Sequence, residues 1–88
     1  MMAVLNILAA DGELYTLVSP FIDMYEGNIE WEKIFSLYLH AGHRAVCDWA
    51  YACWRDEMPE GRNLFESVLN ADPQYRKAIL RGLAIRWG

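Results

Sequence analysis

The chain has 88 residues, 55% of them hydrophobic, with four Trp, five Tyr and three Phe and a net charge of −4. That length holds a single domain, and its apolar content supports a core without disulfide staples, which excludes intrinsic disorder and a multidomain arrangement. Charge is spread unevenly: residues 1–32 carry six acids and no Lys or Arg, whereas residues 61–88 carry five bases against two acids.

In chain order, the opening stretch MMAVLNILAADGE is apolar for only about ten residues and has no basic residue ahead of it, too short for a bilayer span and lacking the positive region of a secretory signal. With two cysteines and no export signal, the expected compartment is the cytoplasm, with both thiols reduced. Turn and cap residues then divide the sequence. Asp11-Gly12 is a turn pair, Ser19-Pro20 a helix start, Gly27-Asn28 a stop followed by a start, Ala41-Gly42 an interruption, and Pro59-Glu60-Gly61 a turn. Asp72-Pro73 supplies an N-cap and a first-turn proline for the last helix.

No run of alternating β-branched residues is present, so the spacing predicts an all-α fold, a small bundle of five or six helices over one domain, 1–88. The helices fall near 2–10, 13–26 (kinked or restarted at Pro20), 29–40, 43–57, 63–70 and 73–87. Ile34, Phe35, Leu37, Tyr38 and Leu39 give the third a broad apolar surface and a central place. In the fourth, Val46, Trp49, Ala50 and Cys53 face inward, flanked by Cys47 and Trp54. Arg44, Asp48, Tyr51 and Arg55 face outward, and Arg44–Asp48 is an i,i+4 pair of opposite charge. The last helix buries Tyr75, Ala78, Ile79, Gly82 and Leu83. Gly82 in mid-helix costs about 1 kcal/mol relative to Ala, so a neighbouring helix is expected to pass close to it.

The stretch YLHAGHRAVCDW holds His40, His43 and Cys47 at helical spacing. His43 and Cys47 alone would make an i,i+4 half-site for zinc. Gly42 is expected to end a helix, leaving His40 across a turn near a helix C-terminus, and no second Cys/His pair supplies a fourth ligand. No metal and no other cofactor is therefore expected. A Cys–His catalytic pair lacks an orienting group, since Asp48 adjoins Cys47 in sequence and adjacent helical residues face apart. Glu30/Glu32 and Asp56/Glu57 are not at spacings that place two carboxylates on one helix face, and no glycine-rich phosphate loop is present. No enzyme is expected. The last helix is basic, yet the chain as a whole is acidic, so direct nucleic-acid binding is not expected either.

The segment GHRAVCDWAYACWRD, Gly42 to Asp56, resembles a stretch in short helical proteins of bacterial plasmids and integrated mobile elements, matching at Gly42, Arg44, Val46, Asp48, Trp49, Ala52 and Trp54 with one residue gapped. The resemblance covers about a sixth of the chain; it implies a mobile-element setting and carries no activity with it.

The charge asymmetry has two readings. The two ends could pack together and neutralise each other, or the early acids could form a face for a basic partner. The functional expectation is a protein-binding module, a phage- or element-encoded inhibitor of a basic nucleic-acid-binding partner in the manner of anti-CRISPR proteins. Asp23, Glu26, Glu30 and Glu32 would form its acidic face. Trp31, Tyr51, Trp54 and Trp87 would be its aromatic anchors, with Arg44, Asp48 and Arg55 around them. A self-associating protein, such as a homodimer, is the alternative, and a metal-binding or Cys–His thiol enzyme ranks behind both. No membrane partner is expected.

Overall fold

A computed structural model describes residues 2–55, 57, 59, 61 and 72–88. Most of these are helical. Helix α1 (Met2–Leu8) contains neither Gly nor Pro and buries Ala3, Val4, Ile7 and Leu8, one stripe at i, i+1, i+4 and i+5. Two turn bonds, from Ala9 to Leu5 and from Ala10 to Ile7, close its end. Asp11 then adopts extended backbone angles and starts α2 (Gly12–Val18), its Oδ1 accepting from the backbone N–H of Glu13 at 2.8 Å and of Leu14 at 3.4 Å. Asp11 is thus an N-cap, satisfying N–H groups that the first helical turn leaves without partners.

The helix expected over 13–26 stops at Val18. Pro20 lacks an N–H and its ring opposes a further α-turn, so Ser19–Phe21 tightens into a 3₁₀ turn and the chain leaves helix at Ile22. Strands β1 (Ile22–Asp23) and β2 (Asn28–Ile29) pair antiparallel, Ile22 opposite Ile29 and Asp23 opposite Asn28. A hydrogen bond from Glu30 N–H to the Phe21 carbonyl extends the pairing. This small sheet corrects the all-helical expectation. Its four-residue loop is built by Asp23, whose Oδ1 accepts from the N–H groups of Tyr25 and Glu26, and by Gly27 at φ +69°. Gly27-Asn28 is therefore the end of a hairpin loop and not a helix boundary.

Helix α3 (Trp31–Phe35) has only five residues, against the expected span 29–40. Ser36 ends it, its Oγ donating back to the Lys33 carbonyl at 2.7 Å. Beyond it, exposure alternates: Leu37 and Leu39 are half-buried, while Ser36, Tyr38 and His40 face solvent.

The central element is α4 (Ala41–Arg55). It has Gly42, His43, Ala45, Val46, Cys47, Asp48, Ala50, Ala52 and Cys53 buried. The expected outward face is thus largely covered, and the central place belongs to α4 rather than to the segment 29–40. The last helix, α5 (Pro73–Trp87), buries Tyr75, Ala78, Ile79 and Gly82, as its spacing predicted, with Leu83 half-buried.

Helix α1 packs against both α4 and α5, and Ile7, Leu8, Leu14, Val18, Ile34, Val46 and Cys47 have no or almost no exposed surface. Each large apolar side chain so buried contributes about 1.5–3 kcal/mol. The helix expected over 63–70 lies outside the described residues. Among the described residues, no helix is long and apolar enough to cross a membrane.

Candidate functional site

Two groups of polar residues stand out, one internal and one on the surface. The internal group gathers where α2, α4 and α5 begin. Asp11 uses Oδ1 for the α2 cap and presents Oδ2 to two side chains. Tyr75 donates its hydroxyl at 2.7 Å, and the His43 Nε2 lies at 3.2 Å. His43 is 3% exposed. Its ring lies against that of His40, with centroids 3.7 Å apart and planes tilted by 31°.

His40 occupies the N-cap position of α4. Its Nδ1 accepts from the His43 N–H at 3.2 Å, and its carbonyl accepts from the Arg44 N–H at 2.9 Å. That corrects the expectation of a helix C-terminus here. Gly42 does not break the helix but sits in its first turn, where a Cβ would stand 3.0 Å from the Tyr75 ring. The two histidines therefore do meet, through a cap and a stacking contact.

The electrostatics follow from these bonds. The Tyr75 hydroxyl, then the His43 ring and the two backbone N–H groups, hold the Asp11 carboxyl well below the usual carboxylate range. The same carboxylate raises the Tyr75 phenol, since the bond needs its proton.

Cys47, one turn from His43, is fully buried, and desolvation pushes its thiol up to about 12. Nucleophilic attack needs a thiolate, and this environment disfavours one. Cys47 in the folded protein is expected to resist a water-soluble disulfide reagent and to react only as the protein unfolds. Rapid stoichiometric labelling of native protein, lost in Cys47→Ser, would overturn that placement. Among the described residues, no three His, Cys, Asp or Glu side chains are grouped to hold a metal ion.

The surface group is the hairpin and the start of α3. Asp23, Glu26, Glu30 and Glu32 are all exposed within ten residues of chain, and Lys33 pairs with Glu30 at 3.1 Å. Asp23 and Glu30 line one shallow hollow, and Glu30 and Glu32 line a second with Arg55. At the loop between the strands, Met24 and Tyr25 project into solvent, Tyr25 completely. No protein-family model matches this chain, and neither does any curated protein or solved structure.

The expected anchors divide sharply. Trp31 is 6% exposed and stacks on Phe35 at 5.9 Å, with Tyr51 edge-on to it at 5.3 Å. Asp48 is 0% exposed, 3.7 Å from the Arg44 Nε, and Arg44 itself lies over the Phe35 ring and donates to the Phe35 carbonyl. Trp31 and Asp48 thus cannot meet a partner in this fold, and Tyr51 and Trp54 are half-buried against the core. These residues clasp α3 to α4, which fixes the hairpin in front of them. Arg55 and Trp87 do reach the surface.

Sequence reading missed Met24 and Tyr25, because a helix through 26 hides the loop that exposes them. It also missed the joining of Asp11, His43 and Tyr75. Asp11-Gly12 was read as a turn pair and not as a cap, and partners 32 and 64 residues away carry no local signal.

Proposed function

We propose that this chain is a non-enzymatic binding module whose acidic hairpin docks on a protein with a basic, nucleic-acid-binding surface. In that reading Asp23, Glu26, Glu30 and Glu32 stand in for backbone phosphates, and Met24 and Tyr25 enter the contact as apolar anchors. A phage- or mobile-element-encoded inhibitor, anti-CRISPR-like, would work this way.

The observation that carries the reading is the placement of all four carboxylates beside a fully exposed tyrosine on one short hairpin and its continuation. An exposed acidic cluster raises the local negative potential, speeds encounter with a basic surface and makes binding salt-dependent. Aromatic side chains at the middle of such a patch supply most of the affinity. The cytoplasmic setting is consistent with Cys47 and Cys53, which are buried and form no disulfide.

The test is affinity capture from a bacterial lysate with the wild-type chain and with a variant carrying Ala at 23, 26, 30 and 32. A basic nucleic-acid-binding protein should be retained by the wild type alone. Its affinity should fall as salt rises, and the variant's salt dependence should be flatter. A captured partner that binds both proteins equally, with the same salt dependence, removes the acidic hairpin from the mechanism.

A further inference from the structure

Helix α5 is apolar on two sides. One side packs into the fold through Tyr75, Ala78, Ile79 and Gly82. The opposite side faces solvent, and Leu80, Ala84 and Trp87 recur along it at i, i+4 and i+7. Leu80 is 65% and Trp87 61% exposed.

Two bases stand on this same side. Lys77 precedes Leu80 by three residues and Ala84 by seven, and Arg81 follows Lys77 by four, so both run along one edge of the stripe. Both are exposed, and neither forms an ion pair with a described residue. Arg76 and Arg86 make contacts within the fold, Arg86 donating from Nε to the Cys53 carbonyl at 3.1 Å, so Lys77 and Arg81 are the bases this face offers. Arg81 also walls a hollow of about 330 Å³ along α1 with Met2, Leu5 and Asn6, and Met2 is 69% exposed. The base thus lies between the α5 stripe and a second exposed apolar side chain.

These features together select an occupant. Helix α5 has no acid between Pro73 and Trp87, so the same face of a second copy would meet it base against base. Duplex nucleic acid offers phosphates but nothing apolar to cover Leu80, and two bases neutralise few of its charges. An anionic lipid surface supplies both parts. Its head groups meet Lys77 and Arg81, and its acyl boundary receives Leu80 and Trp87, an indole being favoured at that depth.

We propose that the outer face of α5 lies on membranes that contain anionic phospholipid, Leu80 and Trp87 entering the head-group boundary beside Lys77 and Arg81. The helix rests on the surface and needs no span. This face is distinct from the acidic hairpin and goes beyond the hairpin's proposed role.

Sedimentation of the purified protein with lipid vesicles tests this, phosphatidylcholine alone against phosphatidylcholine mixed with phosphatidylglycerol. The chain is expected to sediment with the mixed vesicles at low salt, to be released as salt rises, and to ignore the neutral ones. Tryptophan emission should move to shorter wavelength on binding. Trp87→Phe should lose most of that shift and still bind, because Trp31 is buried and Trp49 and Trp54 are half-buried. Leu80→Gln should weaken binding about tenfold. Lys77→Gln combined with Arg81→Gln should weaken it on the order of thirtyfold and flatten its salt dependence. These side chains are all exposed, so each variant should keep the wild-type circular dichroism spectrum.

A variant carrying Ala at 23, 26, 30 and 32 should bind the mixed vesicles at least as well as the wild type, which separates this face from the hairpin. Loss of vesicle binding in that variant would overturn the proposal. So would no sedimentation with the mixed vesicles at low salt, equal binding to neutral ones, or binding untouched by Leu80→Gln. Preference for a single-stranded oligonucleotide or an acidic peptide over the mixed vesicles would assign the face to another class of partner and overturn it too.

Discussion

Asp11→Ala is expected to lower the thermal unfolding midpoint by about 10 °C or more. One carboxylate caps α2, accepts the Tyr75 hydroxyl and meets the His43 Nε2, so it ties the starts of three helices. Its loss removes a cap and strands two polar side chains in a largely water-free setting, and leaving such groups without partners costs more than the bonds themselves contribute. Asp11→Asn separates charge from geometry, because Asn caps as well as Asp and can still accept from the tyrosine.

The pH dependence has a definite sign. The folded-state pKa of Asp11 is depressed, so its stabilising contribution is complete above the unfolded carboxylate value of about 3.9 and is lost as pH falls toward the lower folded value. Tyr75 acts at the other extreme. Its raised pKa gives stability that is complete below the unfolded phenol value of about 10 and is lost as pH rises through the folded value. Thermal midpoints measured from pH 7 to pH 2 should fall more steeply for the wild type than for Asp11→Asn. Parallel curves would show that the carboxylate is not coupled to folding.

Gly82→Val is expected to destabilise the fold by about 3 kcal/mol, a large share of the roughly 5–15 kcal/mol that holds a domain of this kind. A Cβ at position 82 would run into the Ile7 side chain and stand 3.1 Å from the Ala3 carbonyl oxygen. Because α1 also packs on α4, it cannot simply withdraw from α5. Gly82→Ala should cost less, since about 1 kcal/mol of helix propensity offsets the collision. Ile7→Ala alone should cost about 2–5 kcal/mol, and combined with Gly82→Ala it should cost less than the sum, because the truncation makes room for the added methyl. Urea midpoints for the four variants check this. A Gly82→Ala protein more stable than the wild type would show that α1 does not pass so closely.

Helix propensity, caps and breakers are local, and where they governed the outcome the sequence reading held. Helices α1 and α5, a helix beginning just after the Asp11-Gly12 turn and the buried side of α5 were all legible. The same local rules were ambiguous for Gly27-Asn28, which serves a helix boundary or a hairpin loop equally well. The hairpin was chosen by Pro20 upstream, by the Asp23 side chain on the loop N–H groups, and by Ile29 reaching the core. The run Ser36-Leu37-Tyr38-Leu39-His40 alternates in exposure as a non-helical strap, but five apolar residues in six, from Ile34 to Leu39, read as a broad helical face.

The sequence by itself determined a largely helical chain, acidic at one end and basic at the other, with an apolar stripe on each long helix. Only the tertiary structure decided which surfaces those stripes left open. Burial depends on what lies opposite, and no periodicity encodes that. Asp48 looked outward by its spacing and is fully buried beside Arg44, while Trp31 looked like an anchor and is packed under Tyr51. The meeting of Asp11, His43 and Tyr75, and the exposure of Met24 and Tyr25 on an acidic loop, exist only because long-range packing of α1, α4 and α5 fixes the directions in which short-range elements point.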